Sequence, residues 1–153
     1  MNDLILEPAI IMCLLSFFMM IWMYATRLPA AKKLEEDGVD VQKFSHPSSI
    51  GGVFPSKVER VADNYNHLFE QPTVFYAISF IIWGLEHTDS VHLYCAWAYV
   101  IIRITHSILQ ATLNLVWFRF SLFILSWAAL AIMIFREASV SYTHLTLPTS
   151  VTV

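Results

Sequence analysis

Arg103, His106, Ser107, Gln110 and Asn114 recur every three or four residues in the mostly apolar stretch from Tyr99 to Phe123, YVIIRITHSILQATLNLVWFRFSLF. At about 100° per residue they fall, with Tyr99, within an arc of about 100° on a helix. An arginine at bilayer depth costs at least about 2.5 to 3.5 kcal/mol, so such a stripe is expected to face other helices or water and to mark a functional site. Arg119 follows in the same stretch. A guanidinium offers five fixed donors suited to carboxylates and thiolates, and two converging on one pocket need an anionic partner. Either the protein supplies that anion, by pairing Arg103 with Glu70 or Asp63, or a ligand does. For Arg119, placed by this reading in a turn, snorkelling to the interface is the plain alternative.

A second stripe lies upstream. Ser56 and Glu59 form a Ser-x-x-Glu capping box, and the helix they open carries Arg60, Asp63, Asn64, His67, Glu70 and Gln71 within an arc of about 120°. His67 and Glu70, three apart, could chelate a metal from one helix face. No Glu-x-x-His or His-x-x-x-His partner occurs elsewhere in the sequence, so hydrogen bonding between helices is expected and no metal site. His106 and Ser107 splay about 100° apart on a helix with no local carboxylate to orient the imidazole, which argues against a hydrolase triad. His87 and His92 are expected to be solvated in a surface turn, and Gly51-Gly52 lacks the context of a phosphate cradle and reads as a plain turn.

Elements able to position these residues follow from the hydropathy. At 57% hydrophobic and 14% charged over 153 residues, the chain is too apolar for an ordinary soluble domain. It reads as an all-α integral membrane protein, a bundle of four transmembrane helices. A net charge of -3 without a Lys/Arg block excludes a nucleic-acid surface. Cys13 and Cys95 show neither metal nor redox spacing.

The spans are expected at about 4–26, 58–85, 91–116 and 120–136, in a single domain over 1–138. The first lacks a basic leading region and a small-residue cleavage site, so it is expected to be a retained span. A long polar loop from Leu28 to Lys57 follows it. Pro72 to Leu85 is too short to cross a hydrocarbon core of about 30 Å alone, so span two must borrow turns from its polar half, with a kink at Pro72. Asp89 or Ser90 is placed to cap span three, and Trp117 to Arg119 to turn the chain. Lys32, Lys33, Lys43 and Lys57 put the long loop in the cytoplasm and both termini on the other side. The Thr-rich segment 139–153 is expected to be a disordered or non-native tail.

Four short spans, one long loop after the first, and the motifs VERVADNYNHLFEQPTVFYA and RITHSILQATLNLVWFRFSLF resemble the membrane-associated proteins in eicosanoid and glutathione metabolism (the MAPEG family). The resemblance runs from Leu4 to about Phe135 and is closest to the bacterial branch. It implies a homotrimer in a bacterial inner membrane, with glutathione held in a U-shape between spans of neighbouring subunits. Glu59 and Arg60 match the family's Glu-Arg opening of span two, and Glu70 the acid that binds the glutathione amino group. Arg103 matches a glutathione-carboxylate arginine, Arg119 the arginine that stabilises the thiolate, and His106 with Ser107 a His-Thr/Ser pair.

Departures are equally specific. Asn66 and His67 stand where the enzymes carry an Arg-Asn pair, Gln110 replaces a ligand-contacting tyrosine, and Phe123 replaces the tyrosine a turn beyond the catalytic arginine. The lost arginine alone removes a charge-assisted bond of about 1.5 to 3 kcal/mol. Chemistry is less impaired: lowering a thiol from about 8.5 to about 6.5 takes about 2.7 kcal/mol, within reach of one close guanidinium.

The resemblance therefore implies a glutathione-transferase-like membrane enzyme with glutathione as co-substrate and Arg119 as its catalytic group. Arg60, Asn66, His67, Glu70, Arg103, His106, Ser107 and Gln110 form the glutathione site, and a lipophilic substrate arrives through the membrane lipid to be conjugated or reduced. The alternative is a non-catalytic lipid-binding or scaffold protein of the same fold. Transport is disfavoured, since the chain has no internal repeat or pair of broken helices.

Overall fold

The computed structural model describes residues 2–44 and 51–146, and they are helical apart from short connections. A 3-10 turn at Asn2–Ile5 leads into α1 (Leu6–Glu36), and a second at Val41–Phe44 precedes α2 (Ser56–His67). α3 (Gln71–Gly84), α4 (Ser90–Thr112) and α5 (Val116–Thr146) complete the bundle. α2 and α3 are the two halves of one interrupted span, so four helical rods result. α4 packs along α5, and α1 touches α2, α3 and α4.

Two stretches, Asn2–Glu36 and Val116–Tyr142, are long and apolar enough to cross a membrane by length and composition alone. α3, with 14 residues, is too short by itself at 1.5 Å per residue, and α4 carries the polar stripe. The outer surface is apolar: Phe18 is 61% exposed, Phe135 72% and Trp117 80%. A bundle that turned such side chains outward into water would expose a far larger apolar patch than soluble monomers do, whereas lipid accepts it.

The interior combines an apolar core with the polar stripe. Ile5, Met12, Leu68, Ile82, Leu130 and Met133 are fully buried, and the Phe75 and Tyr99 rings stack at 4.3 Å. Tyr99, Arg103, His106, Ser107 and Gln110 are all buried, so the face of α4 picked out by its spacing is the face turned inward. Gln71 on α3 accepts a hydrogen bond from Ser126 on α5 at 2.9 Å, a tie between two buried polar groups.

Several boundaries differ from the sequence expectation. α1 does not end near Thr26 but continues through Pro29 to Glu36, because Ala-Ala-Lys-Lys-Leu-Glu-Glu is a strong helix-forming run. It ends where Gly38, at φ +85°, takes the left-handed conformation that closes a helix. The loop after α1 is correspondingly shorter, and its residues 45–50 lie outside the described ones. The expected capping box is not made: Pro55 is the N-cap of α2, and the Glu59 carboxylate instead accepts from the Gly52 backbone N–H at 2.7 Å.

The turn between the last two helices also moves. It falls at Leu113–Leu115, with Asn114 at φ 52°, so Asn114 leaves the stripe and Trp117, Phe118 and Arg119 open α5 instead of turning the chain. Residues 139–146 continue α5 as helix where a tail was expected, and 147–153 lie outside the described residues.

The far end of the bundle is latched by polar contacts. Asn2 donates to the Trp83 carbonyl at 2.7 Å, Trp83 Nε1 to Asp3 at 2.8 Å, and Thr88 to the Asn2 side chain at 2.6 Å. Asp89 caps α4 by accepting from the His92 N–H at 2.9 Å and also pairs with Arg136. His87 and His92 are not solvated as expected. His87 is half-buried and 2.8 Å from the buried Glu137, and His92 is fully buried under the cap.

Candidate functional site

The site is built where the second span breaks. Pro72 has no N–H to give, and the helix stops at His67 and restarts at Gln71, with Glu70 at φ -90° and ψ -93° between them. The break frees main-chain carbonyls inside the bundle. Arg103, 0% exposed, answers one of them: its Nη2 donates to the His67 carbonyl at 3.4 Å. Its Nε and Nη1 have no hydrogen-bond partner among the described residues. The alternative in which Glu70 or Asp63 pairs with Arg103 is not seen among the described residues; Glu70 is engaged by His67, whose Nδ1–H donates to Glu70 Oε2 at 2.6 Å.

Two clefts open beside this break. One of about 340 Å³ is lined by Asp63, Asn66, His67, Glu70, Gln110 and Arg119. Its neighbour, about 200 Å³, is lined by His67, His106, Val116, Arg119, Phe120 and Phe123. His67 and Arg119 belong to both, so they stand at the junction. A third cavity of about 440 Å³ shares Asp63 and Asn66 with the first and extends it toward Arg27 and Glu59.

Arg119 sits in the first turns of α5 and donates to the Asn114 side chain, which the left-handed turn aims back at it. No carboxylate pairs with it among the described residues. The His67 ring is stacked on Phe123 at 5.2 Å and lies 5.4 Å from the His106 ring. Phe120 is shared between the smaller cleft and an apolar groove of about 370 Å³ formed with Ser121, Ile124, Leu125 and Ala128 on the outside of α5.

Of the residues singled out from the sequence, Asn66, His67, Glu70, His106, Gln110 and Arg119 line the clefts, and Arg60, Arg103 and Ser107 do not. Arg60 is used structurally, donating to the Thr112 carbonyl at the end of α4. Arg103 and Ser107 lie behind the cleft wall, fully buried. Sequence reasoning missed Asn114 as the residue that holds Arg119. The signal was there, since asparagine is among the few side chains that tolerate a left-handed helix end. It also missed Phe120, which reads as one more apolar span residue. Among the described residues no group of three or more His, Cys, Asp and Glu is placed to hold a metal.

An interrupted second span with a glutamate at its break, and an inward polar stripe on the third whose His106 and Gln110 share clefts with Arg119 of the fourth, accompany a family match. Residues 5–138 match the sequence model described as the MAPEG family. The chain belongs to the MAPEG family. It is thus an integral membrane protein with that family's four-helix fold. No curated protein and no solved structure matches it. Within a MAPEG fold the clefts at the α2–α3 break carry the departures already noted, Asn66, His67, Gln110 and Phe123, side by side.

Proposed function

We propose that this MAPEG protein binds glutathione or a similar anionic thiol at the α2–α3 break and adds it to, or uses it to reduce, a lipophilic electrophile. The observation that carries the reading is Arg119: a cleft-lining guanidinium with no acidic partner among the described residues, next to Glu70 and His67. A cation so placed in a partly dry site stabilises a thiolate over a thiol, and the thiolate is the nucleophile. Glu70, with one oxygen taken by His67, retains the other for an ammonium group, and Asn66 and Gln110 offer neutral hydrogen bonds along the same wall.

The electrophile approaches from the lipid side. The groove of Phe120, Ser121, Ile124, Leu125 and Ala128 is almost wholly apolar and meets the smaller cleft at Phe120, one residue from Arg119. A membrane-dissolved substrate can follow it to the sulfur without crossing water. Arg103 supports the site from behind by fixing the break. Assembly as a homotrimer, with the lysine-bearing loop in the cytoplasm, belongs to the same proposal.

A second reading, a lipid-binding or scaffold protein without chemistry, has one observation in its favour: Phe123 fills the position of a hydroxyl-bearing tyrosine and gives the cleft no donor. The experiment that separates the two is a titration of the purified protein in lipid nanodiscs with glutathione, followed by assay with an α,β-unsaturated ketone and a lipid hydroperoxide. Saturable glutathione binding with turnover of either electrophile supports the enzyme. Lipid binding with no glutathione uptake and no turnover supports the scaffold and rejects the enzyme.

A further inference from the structure

Arg119 supplies charge to a bound thiol but cannot take its proton, since a guanidinium stays protonated throughout the working pH range. We propose that His67, held by Glu70, is the proton acceptor, so that the bound state is a thiolate facing an imidazolium at the helix break. This rests on the thiol-binding reading above and adds a catalytic base to it.

The geometry selects His67. A carboxylate only accepts hydrogen bonds, so the 2.6 Å contact to Glu70 Oε2 puts the ring proton on Nδ1 and leaves a lone pair on Nε2. Nε2 makes no hydrogen bond among the described residues. Phe123 at 5.2 Å and 29° stacks on the ring and fixes its plane, and the ring lines both clefts that Arg119 lines. A carboxylate that orients an imidazole and steadies the cation it becomes is the arrangement that makes a histidine an effective base. His106 is the rival, but it is 1% exposed, its Nδ1 has no partner among the described residues, and no carboxylate orients it.

The charged and titratable groups around His67 are Asp63, one turn earlier on α2, Glu70 at the break, Arg103 and His106 from α4, and Arg119 from α5. Two of them are guanidiniums that oppose an imidazolium in the empty cleft. A thiolate arriving between His67 and Arg119 reverses that opposition, which ties proton uptake by the ring to the presence of the sulfur anion.

The step balances without an outside oxidant. The thiol proton moves to Nε2 and the S–H electron pair stays on sulfur. With an α,β-unsaturated ketone, sulfur bonds to the β-carbon and the C=C pair shifts to give the enolate. The proton on Nε2 then passes to the enolate carbon and restores the neutral ring.

Proton bookkeeping tests this directly. Full-length protein in nanodiscs is mixed with glutathione at pH 7.5, above the ordinary histidine value of about 6.5. Thiolate is followed by its ultraviolet absorbance and released protons by an indicator dye, with S-methylglutathione as the reference that has no thiol proton. The wild type is expected to form thiolate with almost no proton released. His67→Gln, where thiolate forms at all, is expected to release one proton per thiolate, whereas His106→Gln, whatever its affinity, is expected to release almost none per thiolate formed. One proton released per thiolate by the wild type overturns the base assignment while leaving thiol binding intact, as does a switch to release in His106→Gln alone. Glutathione bound by the wild type with no thiolate at any pH up to 9 overturns both proposals. The wild-type stoichiometry decides even if His67→Gln fails to fold.

Discussion

Arg103 and His67 meet through the main chain: a fully buried guanidinium donates at 3.4 Å to a carbonyl at the helix break whose backbone bond is a long one, from the Glu70 N–H at 3.5 Å. A residue that by its spacing belongs to a ligand site is therefore holding up the wall of that site. The distinction is testable, because a ligand contact and a prop fail differently.

Arg103→Met removes the charge while keeping an unbranched apolar side chain of similar reach. Burying a charge with no partner acid carries a desolvation penalty of roughly several kcal/mol, which an apolar replacement does not incur. The melting temperature in detergent should accordingly hold or rise, while the rate with a saturating thiol falls at least tenfold as His67 and Glu70 lose their register. A variant that melts normally, turns over normally when saturated and differs only by weaker thiol binding would show that Arg103 touches the ligand.

Asp89 latches the opposite end, capping α4 and pairing with Arg136. Partial burial works to raise its carboxyl, but the hydrogen bonds from Arg136 and from the His92 N–H outweigh it, and the net shift is below the usual carboxylate range. A carboxylate shifted down on folding contributes stability that is complete above its unfolded value of about 3.9 and disappears as pH falls through the lower folded value. Asp89→Ala should cost about 1 kcal/mol from the lost cap, with little added by an ion pair this open to solvent. The difference in melting temperature between wild type and variant should be constant from pH 8 to 5 and shrink below pH 4. A gap that widens on acidification would reverse the assignment.

Asn66→Arg restores to the larger cleft a guanidinium where the enzymes of the resemblance carry one. A charge-assisted hydrogen bond is worth about 1.5 to 3 kcal/mol, or about tenfold or more in affinity. Glutathione binding measured by calorimetry should tighten by at least that factor. An unchanged affinity would mean that Asn66 does not face the tripeptide and that the larger cleft serves another ligand.

The parts of this architecture governed by local rules were legible in the residues. The inward face of α4 followed from the spacing of Tyr99, Arg103, His106, Ser107 and Gln110, because an i, i+3, i+4 polar set in an apolar helix has one place to go. The interruption at Pro72 and the cap at Asp89 followed equally from chain chemistry. What tertiary contact decides was not legible. The Glu59 side chain turns from its own helix end to hold Gly52, and Glu137, one residue past the expected end of span four, is buried against His87. Arg119 was placed in a turn because Trp117 and Phe118 look like interface residues. In the fold they face outward from α5, and Asn114 makes the turn instead. The pairing of His67 with Glu70 was visible as a spacing, but its junction with Arg119 required three helices to be brought together.

The measurement closest to the centre of the account is a glutathione titration of wild type, Arg119→Ala and Arg119→Lys, with binding read by calorimetry and ionisation by thiolate absorbance on the same samples. The account predicts that the wild type binds the thiol as thiolate at pH 7.5. Arg119→Ala should bind within a few-fold of wild type yet show no thiolate signal, with Arg119→Lys recovering only part of it because a point charge lacks the planar donor fork. Full thiolate absorbance in Arg119→Ala would contradict it.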